Sequence, residues 1–321
     1  MDNSPITAVE NGTDERLARI ALALFSEPGN TTTGTLIATY GASRTAQIAL
    51  GIDHGDAEDA ELVAAFRERI GPRTKSVQLE QALRATGRFA AQVIIPGDPE
   101  WPEGLADLGV QEPITLWARG NTDLLTQPLG RRIAIVGARA ATGYGEHVAM
   151  ELAAGLTERV YTIVSGAAYG IDGMAHRATL AANGDTIAVL AGGVDRFYPA
   201  GHDTLLQQII ERGVVISELP PGAPPTRWRF IQRNRIVAAI CAATVVVEAG
   251  WRSGSLNTAG HAQLLGRMVA AVPGPVTSAA SAGCHRLIRD LGAALVTDAQ
   301  DVRDLLAPQP EETGSPQEGA R

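Results

Sequence analysis

Lysine is almost missing from this chain: Lys75 is the only one among 27 basic residues, so arginine carries the positive charge. The planar guanidinium fork suits phosphate recognition and stacking better than a compact ammonium does. Cysteine is equally scarce. Cys241 and Cys284 are the only two, they form no C-x-x-C pair, and they are expected to be free thiols of a reducing cytosol. No apolar run approaches the roughly 18 residues of a membrane span. The opening MDNSPITAVENGTDER is acidic and lacks the basic start and apolar core of a signal peptide, so a cytoplasmic location is expected and a membrane partner is not. A P-loop, a carboxylate pair at a recognisable spacing and a Ser-His-Asp order are also missing. No metal-ligand spacing surrounds His176, so neither a metal nor a cofactor is expected.

The net charge of −8 is unevenly spread. Residues 131–300 hold 15 Arg against 12 acidic residues, a surplus of three, while the remainder holds 12 basic and 23 acidic residues. The acidity therefore lies in the flanks, and an anionic partner is compatible with the middle.

At 321 residues the chain has room for about two domains. Residues 1–90 carry short helical patterns, such as Leu17, Ile20 and Leu24, then Leu36 to Tyr40, Ala46 to Leu50 and Leu62 to Phe66. Pro28-Gly29-Asn30 and the stretch from Gly51 to Gly55 interrupt them, as expected for a small helical domain. Val93 to Ile95 and Ile114 to Trp117 are short strand candidates in a proline-rich connection.

From Arg131 onward, apolar runs alternate with amphipathic windows. The runs are Ile133–Val136, Tyr161–Val164, Thr186–Leu190, Val214–Ile216, Thr244–Val247, Met268–Val272 and a weaker Ala294–Val296. Helical windows at Glu146–Leu156, Asp172–Ala182, Thr204–Arg212, Arg229–Ala239, Asn257–Leu265 and Cys284–Leu291 separate them. Buried β-branched runs joined by helices predict an α/β fold over 91–306, with a doubly wound, mostly parallel sheet. Residues 307–321, rich in Pro, Glu, Gly and Ser, are expected to be a disordered acidic tail.

Such sheets bind ligands beyond the carboxyl ends of their strands. Five strand ends carry unusual loops. The first, Ile135-Val136-Gly137-Ala138-Arg139-Ala140-Ala141-Thr142, places Arg139 where a dinucleotide fingerprint needs glycine, which argues against NAD and for an anion seat. The second runs Ser165-Gly166-Ala167-Ala168-Tyr169-Gly170-Ile171-Asp172. Its glycines free several N–H groups, Tyr169 is placed to stack a base, and Asp172 is a natural helix cap.

In the third, Gly192-Gly193-Val194-Asp195-Arg196-Phe197-Tyr198-Pro199, two glycines let a ligand approach the backbone. The fourth, Thr226 to Arg235, interleaves Arg227, Arg229, Arg233 and Arg235 with Trp228 and Phe230, the composition of a surface for a backbone and stacked bases. The fifth, Glu248-Ala249-Gly250-Trp251-Arg252-Ser253-Gly254-Ser255, opens a helix with a second phosphate-type seat. His176 is expected to be a packed histidine.

Taken in order, these loops resemble the DNA-processing protein A (DprA, also called Smf) family. The resemblance adds Ile216-Ser217-Glu218-Leu219-Pro220-Pro221-Gly222, Arg233-Asn234-Arg235-Ile236, Val246-Val247-Glu248-Ala249 and Ser255-Leu256-Asn257-Thr258-Ala259, and runs from about Trp101 to Leu306. It implies an extended Rossmann-like domain, a sterile-alpha-motif-like N-terminal domain and a homodimer. It also implies a non-enzymatic protein that binds single-stranded DNA and loads the RecA recombinase in natural transformation. The binding residues it implies are Gly137, Arg139, Ser165, Gly166, Tyr169, Gly170, Gly192, Asp195, Arg233, Asn234, Ser253, Gly254 and Ser255. Three departures stand out. Tyr169 replaces the family's usual cation, Gly283-Cys284-His285 replaces Gly-Thr-Asn, and 307–321 leave no room for the winged-helix domain of many members.

Two other readings compete. Nucleotide phosphoribohydrolases have a similar sheet, and Glu248 with Arg252 would be the actors. Against this, Trp251 to Ser255 lacks the Pro-Gly-Gly opening, and the Arg227–Arg235 cluster is left unexplained. The second is a scaffold that recruits a recombinase without touching DNA.

Overall fold

The computed structural model describes residues 4–70 and 76–307, so all but the first residue of the expected acidic tail lies outside the described residues. The N-terminal helices are α1 (Pro5–Glu10), α2 (Glu15–Phe25), α3 (Thr31–Leu50), α4 (Ala60–Ile70) and α5 (Ser76–Arg88). Asp14 caps α2 by accepting from the Leu17 N–H, and Asn30 caps α3 by accepting from Thr33. Gly41, at φ +76°, breaks α3 internally, which is why the two apolar windows Leu36 to Tyr40 and Ala46 to Leu50 read as separate helices.

Nine strands form one sheet: β1 (Gln92–Ile94), β2 (Leu116–Gly120), β3 (Arg132–Val136), β4 (Thr162–Ser165), β5 (Thr186–Val189), β6 (Val214–Ser217), β7 (Ala243–Val246), β8 (Met268–Ala271) and β9 (Ala294–Leu295). Their order is β1-β2-β6-β5-β4-β3-β7-β8-β9. From β6 to β9 every pairing is parallel, and β2 joins β6 antiparallel with β1 antiparallel to β2. The chain enters at β3, winds outward through β4, β5 and β6, and returns to lay β7 on the other side of β3. The winding direction therefore reverses between β3 and β7, as in a doubly wound sheet. Strands β3 to β7 are buried along their whole length, which explains their uninterrupted apolar runs.

The crossovers are α6 (Gly143–Thr157), α7 (Ile171–Ala181), α8 (Asp203–Arg212), α9 (Arg227–Ala239), α10 (Ser255–Leu264) and α11 (Ala282–Leu291). A further helix, α12 (Ala299–Leu306), was not expected from the sequence. Asp298 caps it, accepting from the N–H groups of Gln300 and Asp301, and its own Val302 is buried.

The apolar side chains of the N-terminal helices, including Leu22, Phe25, Leu36 and Ile48, are continuous with Trp117, Leu190, Leu206 and Ile209 on one face of the sheet. Trp117 Nε1 donates to Thr86 Oγ1 of α5 at 3.1 Å. Both cysteines are buried, and burial pushes their thiols up to about 12. Among the described residues no helix is long and apolar enough to cross a membrane. β8 is not an edge strand, since β9 pairs outside it, and Leu287 belongs to the core.

Candidate functional site

At the carboxyl ends of β3, β4 and β7 lies a crevice of about 570 Å³, at the point where the winding reverses. The β3 loop supplies Gly137 and Arg139, the β4 loop Gly166, and the β7 loop Arg252, Ser253, Gly254 and Ser255. The fourth wall is α9, with Arg227, Phe230, Arg233 and Asn234. Gly166 is required by close approach: a Cβ there would stand 2.1 Å from Arg233 Nη1. At Gly137 it would meet Ile171 at 2.5 Å and the Glu248 carbonyl at 2.8 Å.

Four cations face this space. Arg139, Arg227 and Arg252 are exposed, whereas Arg233 is only 5% exposed. Arg233 Nη1 donates to the Val189 carbonyl, but its buried Nε has no hydrogen-bond partner among the described residues. Burial pulls this guanidinium down to about 10, partly offset by the nearby Asp172 carboxylate. Asp172 is itself buried, and desolvation holds its carboxyl above the usual range despite Arg233 and the N–H groups of Ala168, Gly137 and Gly166. A buried cation at the floor, ringed by three exposed cations, favours an anionic ligand.

The rim is aromatic as well as basic. The Arg139 guanidinium lies 4.6 Å from the centre of the Phe230 ring, and Phe230 packs at 5.4 Å against Tyr198. Asn234 Nδ2 donates to the Gly254 carbonyl at 3.3 Å and to Asn257 Oδ1 at 3.2 Å, tying α9 to the start of α10. There the Ser253 and Ser255 hydroxyls lie 2.8 Å apart, and Ser253 Oγ accepts from the Ser255 N–H at 3.4 Å. These hydroxyls and forks suit phosphate, and the ring shelf suits a base.

Of the residues expected from the sequence, Gly137, Arg139, Gly166, Arg233, Asn234, Ser253, Gly254 and Ser255 converge on the crevice. The other five lie outside its lining. Ser165 is buried and donates to the Ile135 carbonyl at 2.7 Å, bracing β3 against β4. Tyr169 sets its ring edge-on to His202, centroids 4.9 Å apart, and its hydroxyl accepts from the Gly201 N–H at 3.2 Å. Gly170 precedes α7, Gly192 packs beside Ala223 and Pro225, and Asp195 accepts from the Gly222 N–H at 2.7 Å.

Phe230, Tyr198, Arg227 and Arg252 also line the crevice; the sequence offered Arg227 and Phe230 only as part of the wider Thr226–Arg235 surface. The signal that finds the α9 pair is helical phase. At about 100° per residue, Arg227, Phe230, Arg233 and Asn234 share one half of α9, while Trp228, Arg229, Gln232 and Arg235 share the other. The linear cluster of four arginines is thus two pairs. Arg229 bonds Glu27, and Arg235 forms a bidentate pair with Glu218, both contacts at 2.7 Å.

Glu248 does not line the crevice. Its Oε2 accepts from the Thr142 N–H at 2.8 Å and its Oε1 from the Thr142 hydroxyl at 2.6 Å, fixing the residue that caps α6. His176 is fully buried, with Nδ1 at 2.7 Å from Thr186 Oγ1. The Thr186 hydroxyl donates onward to the Ile163 carbonyl, so Nδ1 carries the hydrogen. Burial lowers this imidazole to about 3. Among the described residues no group of three His, Cys, Asp or Glu is placed to hold a metal.

Residues 92–307 match the family model for DNA recombination-mediator protein A. The chain is similar to DNA processing protein DprA of Mycobacterium tuberculosis, 55% identical over 234 residues, which are 70% of this chain but only 59% of that protein. It is similar to DNA processing protein DprA of Streptococcus pneumoniae, 38% identical over 265 residues, 80% of this chain and 91% of that one. Among solved structures, DprA of S. pneumoniae superposes with a TM-score of 0.74 at 31% identity, over 91% of this chain and 97% of that one. DNA processing protein A of Helicobacter pylori, described for its single-stranded DNA binding mode, superposes with a TM-score of 0.61 at 28% identity, over 68% of this chain and 97% of that one.

Proposed function

Since the chain belongs to the family of DNA recombination-mediator protein A, the DprA/Smf proteins, we propose that it grips single-stranded DNA in the crevice at the β3–β7 reversal and does not turn it over. The observation that carries this reading is Arg233, a buried guanidinium at the floor of a crevice ringed by Arg139, Arg227 and Arg252. Backbone phosphates meet the forks and serine hydroxyls, and unstacked bases meet the Phe230–Tyr198 shelf. A crevice between loops suits a single strand better than a duplex groove. In this reading residues 91–306 bind the strand and residues 1–90 form the helical accessory domain. The protein acts in the cytoplasm as a homodimer and hands the strand to the RecA recombinase during DNA uptake and natural transformation. The family's role as a recombination mediator supports the handover, and the exposed Leu264, Met268, Leu291 and Leu295 beside the β9 edge support a second copy. The occupation of Glu248 by Thr142 argues against nucleotide hydrolysis.

An oligonucleotide titration at several salt concentrations tests the reading. With about three to five phosphates held, log affinity should fall with log salt at a slope of roughly −2 to −3.5, and duplex should bind more weakly. Arg139→Ala should weaken binding by about 1.5–3 kcal/mol and flatten the slope by about 0.7, with the thermal midpoint kept. Arg212→Ala, on α8, is the control. Equal affinities for the two variants, or a flat salt response, would place the strand elsewhere.

A further inference from the structure

The half of α9 that faces away from the crevice is fastened to the N-terminal helices. Arg229 Nε and Nη2 donate to Glu27 Oε2 and Oε1 at 3.1 and 3.2 Å, and Nη1 donates to the Pro224 carbonyl at 2.9 Å. Glu27 stands in the loop between α2 and α3, 202 positions away in sequence. Two residues further on, Gly29 lies so close to α9 that a Cβ would come within 2.3 Å of Gln232 Oε1. Its φ of +67° adds to the requirement for glycine there. The ion pair is mostly sheltered, with side-chain exposures of 16% for Arg229 and 34% for Glu27, so solvent screens it less than a surface pair. One turn along α9 from Arg229 is Arg233, and adjacent to it is Phe230, the ring that carries Arg139.

We propose that Glu27 is a positioning residue for strand binding. Its pair with Arg229 fixes the first turns of α9, and with them Arg227, Phe230 and Arg233, at the separation from the β3 and β7 loops that a bound strand needs. The α2–α3 loop thereby sets the affinity of a crevice that it does not enter. Neither Glu27 nor Gly29 nor Arg229 lines that crevice, so their effect is transmitted through the placement of the helix. The inference rests on the single-strand reading of the site.

The sign of the effect makes it testable. Glu27→Gln removes a negative charge near a polyanion site, so electrostatics alone would tighten binding. Loss of positioning weakens it. In the full chain, Glu27→Gln is expected to weaken oligonucleotide binding about threefold to tenfold, in the lower part of the range for coupling between contacting residues. The salt slope should stay that of the parent, because no crevice cation is lost. Arg229→Gln should weaken binding too, and the double variant should bind no worse than the weaker single one. Gly29→Ala alters no charge and should weaken binding in the same direction. Should Glu27→Gln fail to fold, as read by its thermal midpoint, Gly29→Ala and Arg229→Gln decide the matter. Parental or tighter binding by folded Glu27→Gln or Gly29→Ala, or additive losses in the double variant, would overturn the proposal while leaving the single-strand reading intact. A parent that binds no oligonucleotide would instead remove that reading.

Discussion

Two arginines are buried at opposite ends of this sheet, and their surroundings differ. Arg132, at the start of β3, is fully buried, with Nε donating to the Ile240 carbonyl at 2.6 Å, Nη1 to Leu125 at 2.9 Å and Nη2 to Glu103 at 2.8 Å. Arg233, at the carboxyl ends of the strands, has a carbonyl for one nitrogen and, among the described residues, no partner for its buried Nε. Burial lowers the pKa of both. The base of the sheet uses a guanidinium as a brace that joins three loops, whereas the mouth holds one with bonding capacity in reserve. Burial of charge alone therefore does not mark a binding site; what sets Arg233 apart is that it lines a crevice beside three exposed cations. The mouth holds a further ionisable group that burial opposes, Asp172, as expected where stability is traded for function.

The largest effect should come from the brace. Arg132→Met leaves three carbonyls without their donor and is expected to cost about 3–5 kcal/mol of stability, read by chemical denaturation. The folded fraction should still bind oligonucleotide like the parent. If it binds more weakly while folded, the two ends are coupled and the division between them fails.

His176 provides the next test, beneath the crevice in the second turn of α7. Its folded value of about 3 lies below the ordinary 6.5, so between these pH values the unfolded chain binds a proton that the folded chain refuses. Stability is therefore complete above about 6.5 and should be lost as pH falls toward 3, by up to about 1.4 kcal/mol per pH unit. His176→Gln should flatten that decline in denaturation midpoints measured from pH 7 downward. An unchanged decline would mean that other groups set the acid sensitivity.

Arg233→Met should then separate binding from folding. Losing the floor cation is expected to weaken oligonucleotide binding by about 1.5–3 kcal/mol. Stability should fall by about 1–3 kcal/mol, less than for Arg132→Met, because one carbonyl, that of Val189, loses its donor instead of three. A collapse of stability like that of Arg132→Met would make Arg233 a brace too.

Much of this was legible in the sequence. The apolar runs located β3 to β9 within a residue or two, because strands covered on both faces read as continuous hydrophobic stretches. The loops at the strand ends identified the crevice, since the topology leaves them no other place to meet. Three things were hidden. The α9 arginines looked like a single basic surface because four cations in nine positions obscure the phase of a helix. Ser165 looked like a ligand contact because a hydroxyl in a glycine loop gives no sign that a neighbouring strand's carbonyl, that of Ile135, will engage it. Nor could the sequence show that Glu27 meets Arg229, a contact made only once the N-terminal helices pack on the sheet.

The smallest effect, and the sharpest limit on where the mouth ends, belongs to Tyr169. Its position in the β4–α7 loop suggested a stacking platform, and 49% of the residue remains exposed. Yet its ring is held edge-on by His202, whose Nδ1 lies 3.0 Å from the Ala167 carbonyl, and its hydroxyl is engaged by Gly201. Turning that ring onto a base would break both contacts, so little stacking energy is left to gain. Tyr169→Ala is accordingly expected to change oligonucleotide affinity by less than about 0.5 kcal/mol, well under the roughly 1–3 kcal/mol of a working base–aromatic stack. Its salt slope should match the parent's. Tyr169→Arg should tighten binding and steepen the slope by about 0.7, because a cation there would stand at the rim without displacing anything from the floor. A tenfold loss for Tyr169→Ala would show that the strand runs out of the crevice across the start of α7. The binding end of the sheet would then extend past Arg233 and its ring of arginines to include the His202 shelf.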